Sequence, residues 1–325
     1  MLFDSINSLV KTYSPQKQYL LSGEMKTLSE LLGYSSSDRL LIVNLDDIGL
    51  CPSTNETIIE LQPILNKLSI SLLAGAAGFD HAIDLIKQNQ FSVGVHLALT
   101  TEWEAGGIRP ILPPDKIPSL LNSQGGLLNE IRDLYGQADV DQVEAECRAQ
   151  IERVIAGGVR LDHIDTHMGA MQLRPDLVEI YLRLALEYNL PIRLGSQRLA
   201  SLMNLPPQQI SSACQQNIVF PDNLIYIPMS FASDKSTRFR AYDFTVKNIH
   251  SGITEIYFHP TKDGPDYRSL KHAYSARKAM EYEAIRRWDF EYLSSGRLNK
   301  ILQDENIILV DYSELSELQK RMPRP

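Results

Sequence analysis

Cysteine is scarce in this chain: Cys51, Cys147 and Cys214 are the only three in 325 residues, and no two lie close together. That spacing argues against a disulfide framework and against a cysteine-ligated zinc site. Free thiols fit a reducing compartment. No apolar run approaches the ~18 residues that cross a bilayer. The N-terminal MLFDSINSLVKTYSPQKQ has no basic start, apolar stretch or small-residue cleavage site, so it does not read as a secretory signal. Positive charge is in deficit, with 32 Lys and Arg against 40 Asp and Glu and a formal net charge of -8. A general binder of nucleic acid or of anionic membranes needs a basic footprint, so neither is an expected partner. The chain holds no internal repeat and no low-complexity tract. These absences make a cytoplasmic protein the default expectation. What is present, 43% hydrophobic and 22% charged residues, is ordinary globular composition.

The pattern along the chain alternates. Residues 1–38 read as mostly helical, with a break at SSSD. RLLIVNLDD then reads as a buried strand, because residues 40–43 form an apolar, β-favouring run. Further strands are expected at SISLLAG, FSVGVHLALT, LDHIDTH, PIRLGS and GITEIYFHP, with a last strand and turn at NIILVDYSEL. Helices are expected from Ser53 or Thr54, at FDHAIDLIKQ, at 139–156 before Gly157-Gly158, at RPDLVEIYLRLALEYNL with Pro175 in its first turn, and at 275–295. Residues 200–250 are the least readable, with LIYIPMS β-like and RAYDFTVKNIH helical. Alternation of this kind implies an α/β fold, a mainly parallel sheet or barrel with helices outside. A single domain over 1–325 is expected, with an N-terminal helical extension (1–38) and a Gly- and Pro-rich loop insertion (101–138). Long ordered loops in compact domains are usually functional.

In such folds function collects at the carboxyl ends of the strands. Four expected strands end in ionisable residues: Asp46-Asp47 after LLIVN, His96 within VGVHL, His163, Asp165 and His167 after RLD, and His259 after EIYF. Alternate residues share one side of a strand, so His163, Asp165 and His167 can line one surface. Neutral imidazole and carboxylate suit Zn²⁺ and similar ions, and two His with one Asp leave open positions, as catalytic sites do. Such a metal lowers the pKa of bound water and polarises a carbonyl. Hydrolysis also needs a proton acceptor and a proton donor; Asp46 is the natural base and His259 the natural acid. Each feature alone has a plainer reading. Asp46-Asp47 before Gly49 could cap the next helix, and His96 could be a satisfied core histidine. Four coincidences at strand ends favour a site.

Together these motifs resemble those of the YdjC-like carbohydrate deacetylases, the family of chitooligosaccharide and hopanoid-type deacetylases. The resemblance rests on Asn44-Leu45-Asp46-Asp47-Ile48-Gly49, Gly94-Val95-His96-Leu97-Ala98-Leu99-Thr100, His163-Ile164-Asp165-Thr166-His167 and Phe258-His259-Pro260, and runs from about Leu28 to near the C-terminus. It implies an irregular (β/α) barrel, like an incomplete TIM barrel, with a metal site at the C-terminal strand ends. It also implies removal of acetyl from an N-acetylated sugar or oligosaccharide. One divalent metal, Zn²⁺ first or Mg²⁺ or another such ion, would be held by Asp47, His96 and His167, with Asp46 as base and His259 as acid. Arg193 matches a family arginine near the site. Asn44, His163, Asp165, Arg193 and Trp103 are the candidates for substrate contact or for support of the ligands. The sequence departs from the chitooligosaccharide enzymes at Leu45, where a small residue is usual, at Met168-Gly169-Ala170-Met171, where they carry further histidines, and at Thr261.

Several features carry two readings each. Trp103 could stack on a sugar ring or pack its own loop. Gly106-Gly107 and Gly125-Gly126 could hinge a lid or form turns. Arg286-Arg287, on a charge-rich helix, is expected on a solvated face or a subunit contact, a homodimer being the common default. Cys51 is expected to pack. Beside deacetylation stand two alternatives: another metal-dependent C–N or ester hydrolase, and an inactive carbohydrate-binding protein.

Overall fold

A computed structural model describes residues 16–21, 23–104, 107–194, 208–225, 227 and 234–324. The described part of the expected helical extension is not mainly helical. It forms an antiparallel hairpin, β1 (Gln18–Leu21) and β2 (Glu24–Thr27), and then one turn of helix, α1 (Leu28–Leu31). The physical reason is local: Gly23 sits at φ +86°, which closes the turn, and Tyr19 alternates inward between exposed neighbours. Residues 1–15 lie outside the described residues.

Among the described residues seven strands make the main sheet: β3 (Arg39–Ile48), β4 (Ser69–Leu72), β5 (Ser92–Leu97), β6 (His163–Thr166), β7 (Asn223–Ile225), β8 (Gly252–Phe258) and β9 (Ile307–Val310). The order is β6-β5-β4-β3-β8-β7, and every pairing is parallel. One edge of β3 is shared: β9 takes Arg39–Ile42 and β4 takes Asn44–Ile48, while β8 runs along the other edge. The sheet curls into a half-barrel. Residues 191–193, the expected strand PIRLGS, link its ends: Arg193 N–H donates to the Ile164 carbonyl in β6, and Ile192 N–H to the Val219 carbonyl just before β7.

Helices connect the strands: α2 (Pro52–Leu65), α3 (Phe79–Gln88), α4 (Ile131–Gln137), α5 (Val140–Ala156), α6 (Pro175–Tyr188), α7 (Gln208–Gln215), α8 (Lys235–Lys247), α9 (Pro265–Ser269), α10 (Ala276–Ser294), α11 (Arg297–Asp304) and α12 (Tyr312–Arg321). Their ends follow the sequence. Asp139 caps α5 by accepting the N–H groups of Asp141 and Gln142, and Asn189 ends α6 in the left-handed region.

Alternation along β3 sorts the interior. Leu41, Val43 and Leu45 join the large core beneath the outer helices. Leu40 and Ile42 face the concave side, where Tyr312, Leu315 and Leu318 of α12 fill the floor of the half-barrel. Asn44 and Asp46 continue that concave row toward the carboxyl end, so the polar site stands on an apolar plug. Because all the strands are parallel, their polar ends meet at one mouth. The insertion is an ordered layer with apolar residues of its own: Ile108, Ile117, Leu120 and Leu127 are buried, and the Glu146 carboxylate accepts the N–H groups of Ile111 and Leu112.

Candidate metal centre

Two adjacent side chains on a regular strand point to opposite faces. Asp46 and Asp47 nevertheless share one site, because the backbone changes direction between them. The pairing of β3 with β4 shifts register between Leu45 and Ile48, and Asp47 takes φ +63°, a conformation that non-glycine residues rarely adopt. Gly49 follows at φ +98°, where an added Cβ would lie 3.0 Å from the Leu73 carbonyl oxygen. The motif thus encodes a bulged strand end that aims two carboxylates inward. Strain of this kind gathers at functional sites.

The second motif supplies His96. Register pairs His96 with Asp165 across β5 and β6, and His96 Nδ1 lies 2.7 Å from Asp165 Oδ1. That contact leaves Nε2 facing the aspartate pair, 3.4 Å from Asp47 Oδ1 and 3.9 Å from Asp46 Oδ2. Gly94, two residues earlier, is glycine for a steric reason: a Cβ there would sit 2.3 Å from the ring of His163. After His167 the chain leaves the sheet sharply through Met168 at φ +56°. His167 Nδ1 lies 3.0 Å from Asp47 Oδ1, and its Nε2 lies 2.8 Å from Glu102 Oε2.

One oxygen of Asp47 and one nitrogen each of His96 and His167 lie within 4.8 Å of one another, and all three residues are buried. Asp46, His96 and Asp165 form a second cluster of the same size, but Arg193 already occupies both of its carboxylates. The first cluster therefore fits a divalent ion better. Charge supports that fit. Five buried carboxylates, Asp46, Asp47, Asp165, Glu102 and Glu255, face two buried guanidiniums, Arg193 and Arg286, an excess of negative charge that favours a bound cation. The imidazoles feel the same field. Burial would lower His96, but Asp165 and Asp46 push it up to about 10; Glu102 and Asp47 likewise overcome burial and push His167 up to about 9. Burial would raise Asp47, and Arg286 and His167 hold it well below the carboxylate range.

Arg193 organises the Asp46 side. Its Nη1 and Nη2 donate to the two Asp46 oxygens at 2.7 Å each, its Nη2 is 3.0 Å from Asp165 Oδ2, and its Nε donates to Glu255 at 2.8 Å. Asn44 Nδ2 adds a donor to Asp46 Oδ1 at 2.7 Å and another to Ser71 Oγ at 2.7 Å. One layer down, Ser71 Oγ donates to Asp165 Oδ2, and the His163 ring stacks on Tyr312 with centroids 3.8 Å apart. His163 is thus a supporting residue below the centre. His259 lies at the mouth, its side chain 23% exposed and its Nε2 3.9 Å from Asp46 Oδ2. Burial lowers its pKa. Its backbone N–H is fixed by Asp289 at 3.0 Å.

Of the two readings of Trp103 the structure favours loop packing, and one expectation, for Arg286, is corrected. Trp103 is 2% exposed, and its ring lies 3.9 Å from that of His272 and 5.9 Å from that of Tyr267. It anchors its loop rather than offering an open face to a sugar, because residues 102–104 pair with 271–273 and draw the ring inward. Arg286 lies on neither a solvated face nor a subunit contact. It is 3% exposed, and its Nη2 donates to Asp47 Oδ2 at 2.6 Å and to Glu102 Oε1 at 3.2 Å. Cys51 packs in a small apolar cluster, as expected. Sequence reading missed Glu102, Arg286, Glu255, Asp289 and Tyr312 as site residues. A signal existed for some of them: Glu255 interrupts an otherwise apolar strand, and Arg286 and Asp289 share the buried stripe of α10 with Ile285, Tyr292 and Leu293. Beside the centre the insertion walls a cleft of about 760 Å³, lined by Thr101, Trp103, Arg109, Asn122 and Asn129, so that both sequence neighbours of Glu102 take part. Among the described residues no helix is long and apolar enough to cross a membrane.

Comparison with known proteins agrees with the motifs. The family model described as YdjC-like protein matches residues 40–304. A carbohydrate deacetylase of Thermoanaerobacter pseudethanolicus is 25% identical over 85% of this chain and 99% of its own length. One of Brevibacillus brevis is 27% identical over 85% and 99%. A solved structure from Enterococcus faecalis, of a protein named for cellobiose-phosphate cleavage, superposes with TM-score 0.68 at 25% identity, covering 86% of this chain and 99% of that one.

Proposed function

Because the chain belongs to the YdjC-like family, we propose that it is a metal-dependent deacetylase that hydrolyses the acetamide of an N-acetylated sugar or oligosaccharide. The observation that carries this reading is the convergence of Asp47, His96 and His167 on one point, with a further carboxylate, Asp46, and a half-open imidazole, His259, at its rim. The names of the relatives and the polar cleft beside the centre support a carbohydrate substrate.

Asp47, His96 and His167 would hold the ion, which suits Zn²⁺ by its nitrogen and oxygen donors and could also be Mg²⁺. A divalent ion there supplies Lewis acidity toward the acetyl carbonyl and acidifies a water. The chain's own groups handle the protons. Asp46 Oδ1 is filled by Arg193 Nη2 and Asn44 Nδ2, whereas Oδ2 accepts only Arg193 Nη1 among the described residues. A carboxylate oxygen has two lone pairs, so Oδ2 is the atom free to take a proton from the attacking water. It is also the atom that faces His96 and His259. As the water oxygen bonds to the carbonyl carbon and the C–N bond breaks, His259 gives its proton to the departing amine. Acetate and the free amino sugar are the products. Arg193 keeps Asp46 in one orientation throughout, since a guanidinium fork fixes both carboxylate oxygens.

Acetate release from a panel of N-acetylated sugars tests this. Release by the wild type, lost in Asp46→Asn while the ion stays bound, is the expected result. Near-normal release by that variant would remove Asp46 from the role of base.

A further inference from the structure

The metal ligands of this site are held from behind in two different ways. His96 is backed by Asp165, within the sheet. Asp47 and His167 are backed by a pair that the sheet does not supply. Glu102 lies in the loop after β5, and Arg286 lies in the middle of α10, 184 residues later. The four side chains close a ring. Asp47 Oδ1 meets His167 Nδ1 at 3.0 Å, His167 Nε2 meets Glu102 Oε2 at 2.8 Å, Glu102 Oε1 accepts from Arg286 Nη2 at 3.2 Å, and the same Nη2 donates to Asp47 Oδ2 at 2.6 Å. Each side chain in the ring is at most 4% exposed.

Resting on the metal-site reading above, we propose that Glu102 and Arg286 are positioning residues that act as one clamp on Asp47 and His167. The geometry gives each a task. Glu102 takes the N–H on His167 Nε2, which leaves Nδ1 as the nitrogen with a lone pair toward the ion. A carboxylate behind a ligating histidine fixes its tautomer and raises its basicity. Arg286 engages Asp47 Oδ2, so that Oδ1 alone is presented to the site. This restraint matters at Asp47, whose left-handed backbone conformation must be held by its surroundings. The clamp is itself anchored. Ala273 N–H donates to the Glu102 carbonyl at 2.8 Å, Glu104 N–H is tied to the Lys271 carbonyl, and Thr261 N–H donates to the Arg286 carbonyl at 3.2 Å. Loop 102–104, the loop after His259 and α10 therefore meet at the two metal ligands. The start of the insertion and α10, neither of them part of the four motifs, become part of the metal site.

Calorimetric titration of chelator-treated protein with Zn²⁺ tests this, using Glu102→Gln, Glu102→Asp, Arg286→Lys, Arg286→Met and the double variant Glu102→Gln/Arg286→Met. Supporting results are a 10–100-fold weaker Zn²⁺ affinity in Glu102→Gln, partial recovery in Arg286→Lys relative to Arg286→Met, and a double variant no weaker than its worse single variant. In zinc-saturated enzyme the loss should fall on kcat with KM for the sugar unchanged. A purely structural pair would instead lower the unfolding temperature of the metal-free protein and leave Zn²⁺ affinity within threefold of wild type, which would overturn the clamp. Glu102→Asp keeps the charge and shortens the reach, so it probes the same contact if the glutamine variant folds poorly. Wild-type protein that takes up no Zn²⁺ or Mg²⁺ would overturn the metal reading itself, an outcome distinct from failure of the clamp.

Discussion

Asp46 and Asp47 are neighbours in sequence and stand in different halves of the site. Asp46 is held by the sheet: Arg193 grips both of its oxygens and reaches on to Asp165 and Glu255, with Tyr312 donating to Glu255 below at 2.6 Å. Asp47 is held from outside the sheet, by Arg286 on α10 and through His167 by Glu102. The turn in backbone at Asp47 separates the two. In the proposed reaction the first half is the proton acceptor and the second is a metal ligand. One dipeptide can serve both purposes because each carboxylate has its own arginine.

This division can be broken by experiment. The largest contrast is expected between Asp46→Asn and Asp47→Asn. The first should lower kcat by about 10²–10⁴-fold and leave metal affinity close to wild type. The second should abolish stoichiometric metal binding. Equal loss of metal in both, read by calorimetry, would merge the two halves. Next in size is Arg193→Met. It leaves three buried carboxylates without their cation, and removal of one partner from such a buried group costs about 3–5 kcal/mol. Urea unfolding of metal-free protein should show that loss. A change under about 1 kcal/mol, the size of a surface pair, would mean that the Asp46 half does not depend on Arg193.

The smallest effect sharpens the Asp47 half through its turn. Asp266 accepts the N–H and the hydroxyl of Ser53 at the start of α2, just after the motif. Burial alone would raise its carboxyl, but these donors lower it from 3.8 to about 2. A folded-state pKa below the unfolded one stabilises the fold above the unfolded value, and that contribution is lost as pH falls through the folded value. Asp266→Asn should therefore be less stable than wild type by about 1 kcal/mol at pH 7, with the gap closing between about pH 4 and pH 2. A gap that widened on acidification would contradict the assignment.

The Asp46 half was the more legible in sequence, and the reason is physical. A parallel sheet brings polar strand ends to one face, so Asp46, Asp47, His96, Asp165 and His167 could be grouped from motifs that each end a strand, and the family resemblance added Arg193. The same logic put His163 near the site and the family resemblance put Asn44 there, and both support Asp46 or Asp165 from below. Glu102 and Arg286 were not legible. Glu102 follows the last residue of its motif by two positions in a loop whose path depends on pairing with 271–273. Arg286 stands in ARKAMEYEAIRRWDFEYLS, where charged residues surround the buried stripe and hide its period. The N-terminal hairpin was missed for a similar reason: short strands joined by one glycine turn carry too few residues to show a period. In the stretch 200–250 a strand forms at Asn223–Ile225 and the expected helix forms as Lys235–Lys247, while residues 226 and 228–230 of LIYIPMS lie outside the described residues.

The most direct test of the central claim joins metal to turnover. Chelator-treated protein would be titrated with Zn²⁺ while acetate release from an N-acetylated sugar is followed. The account predicts no release without the ion, a linear rise that breaks at one ion per chain, and no recovery in His167→Ala at any ratio. Full release from protein shown to be free of metal would contradict it.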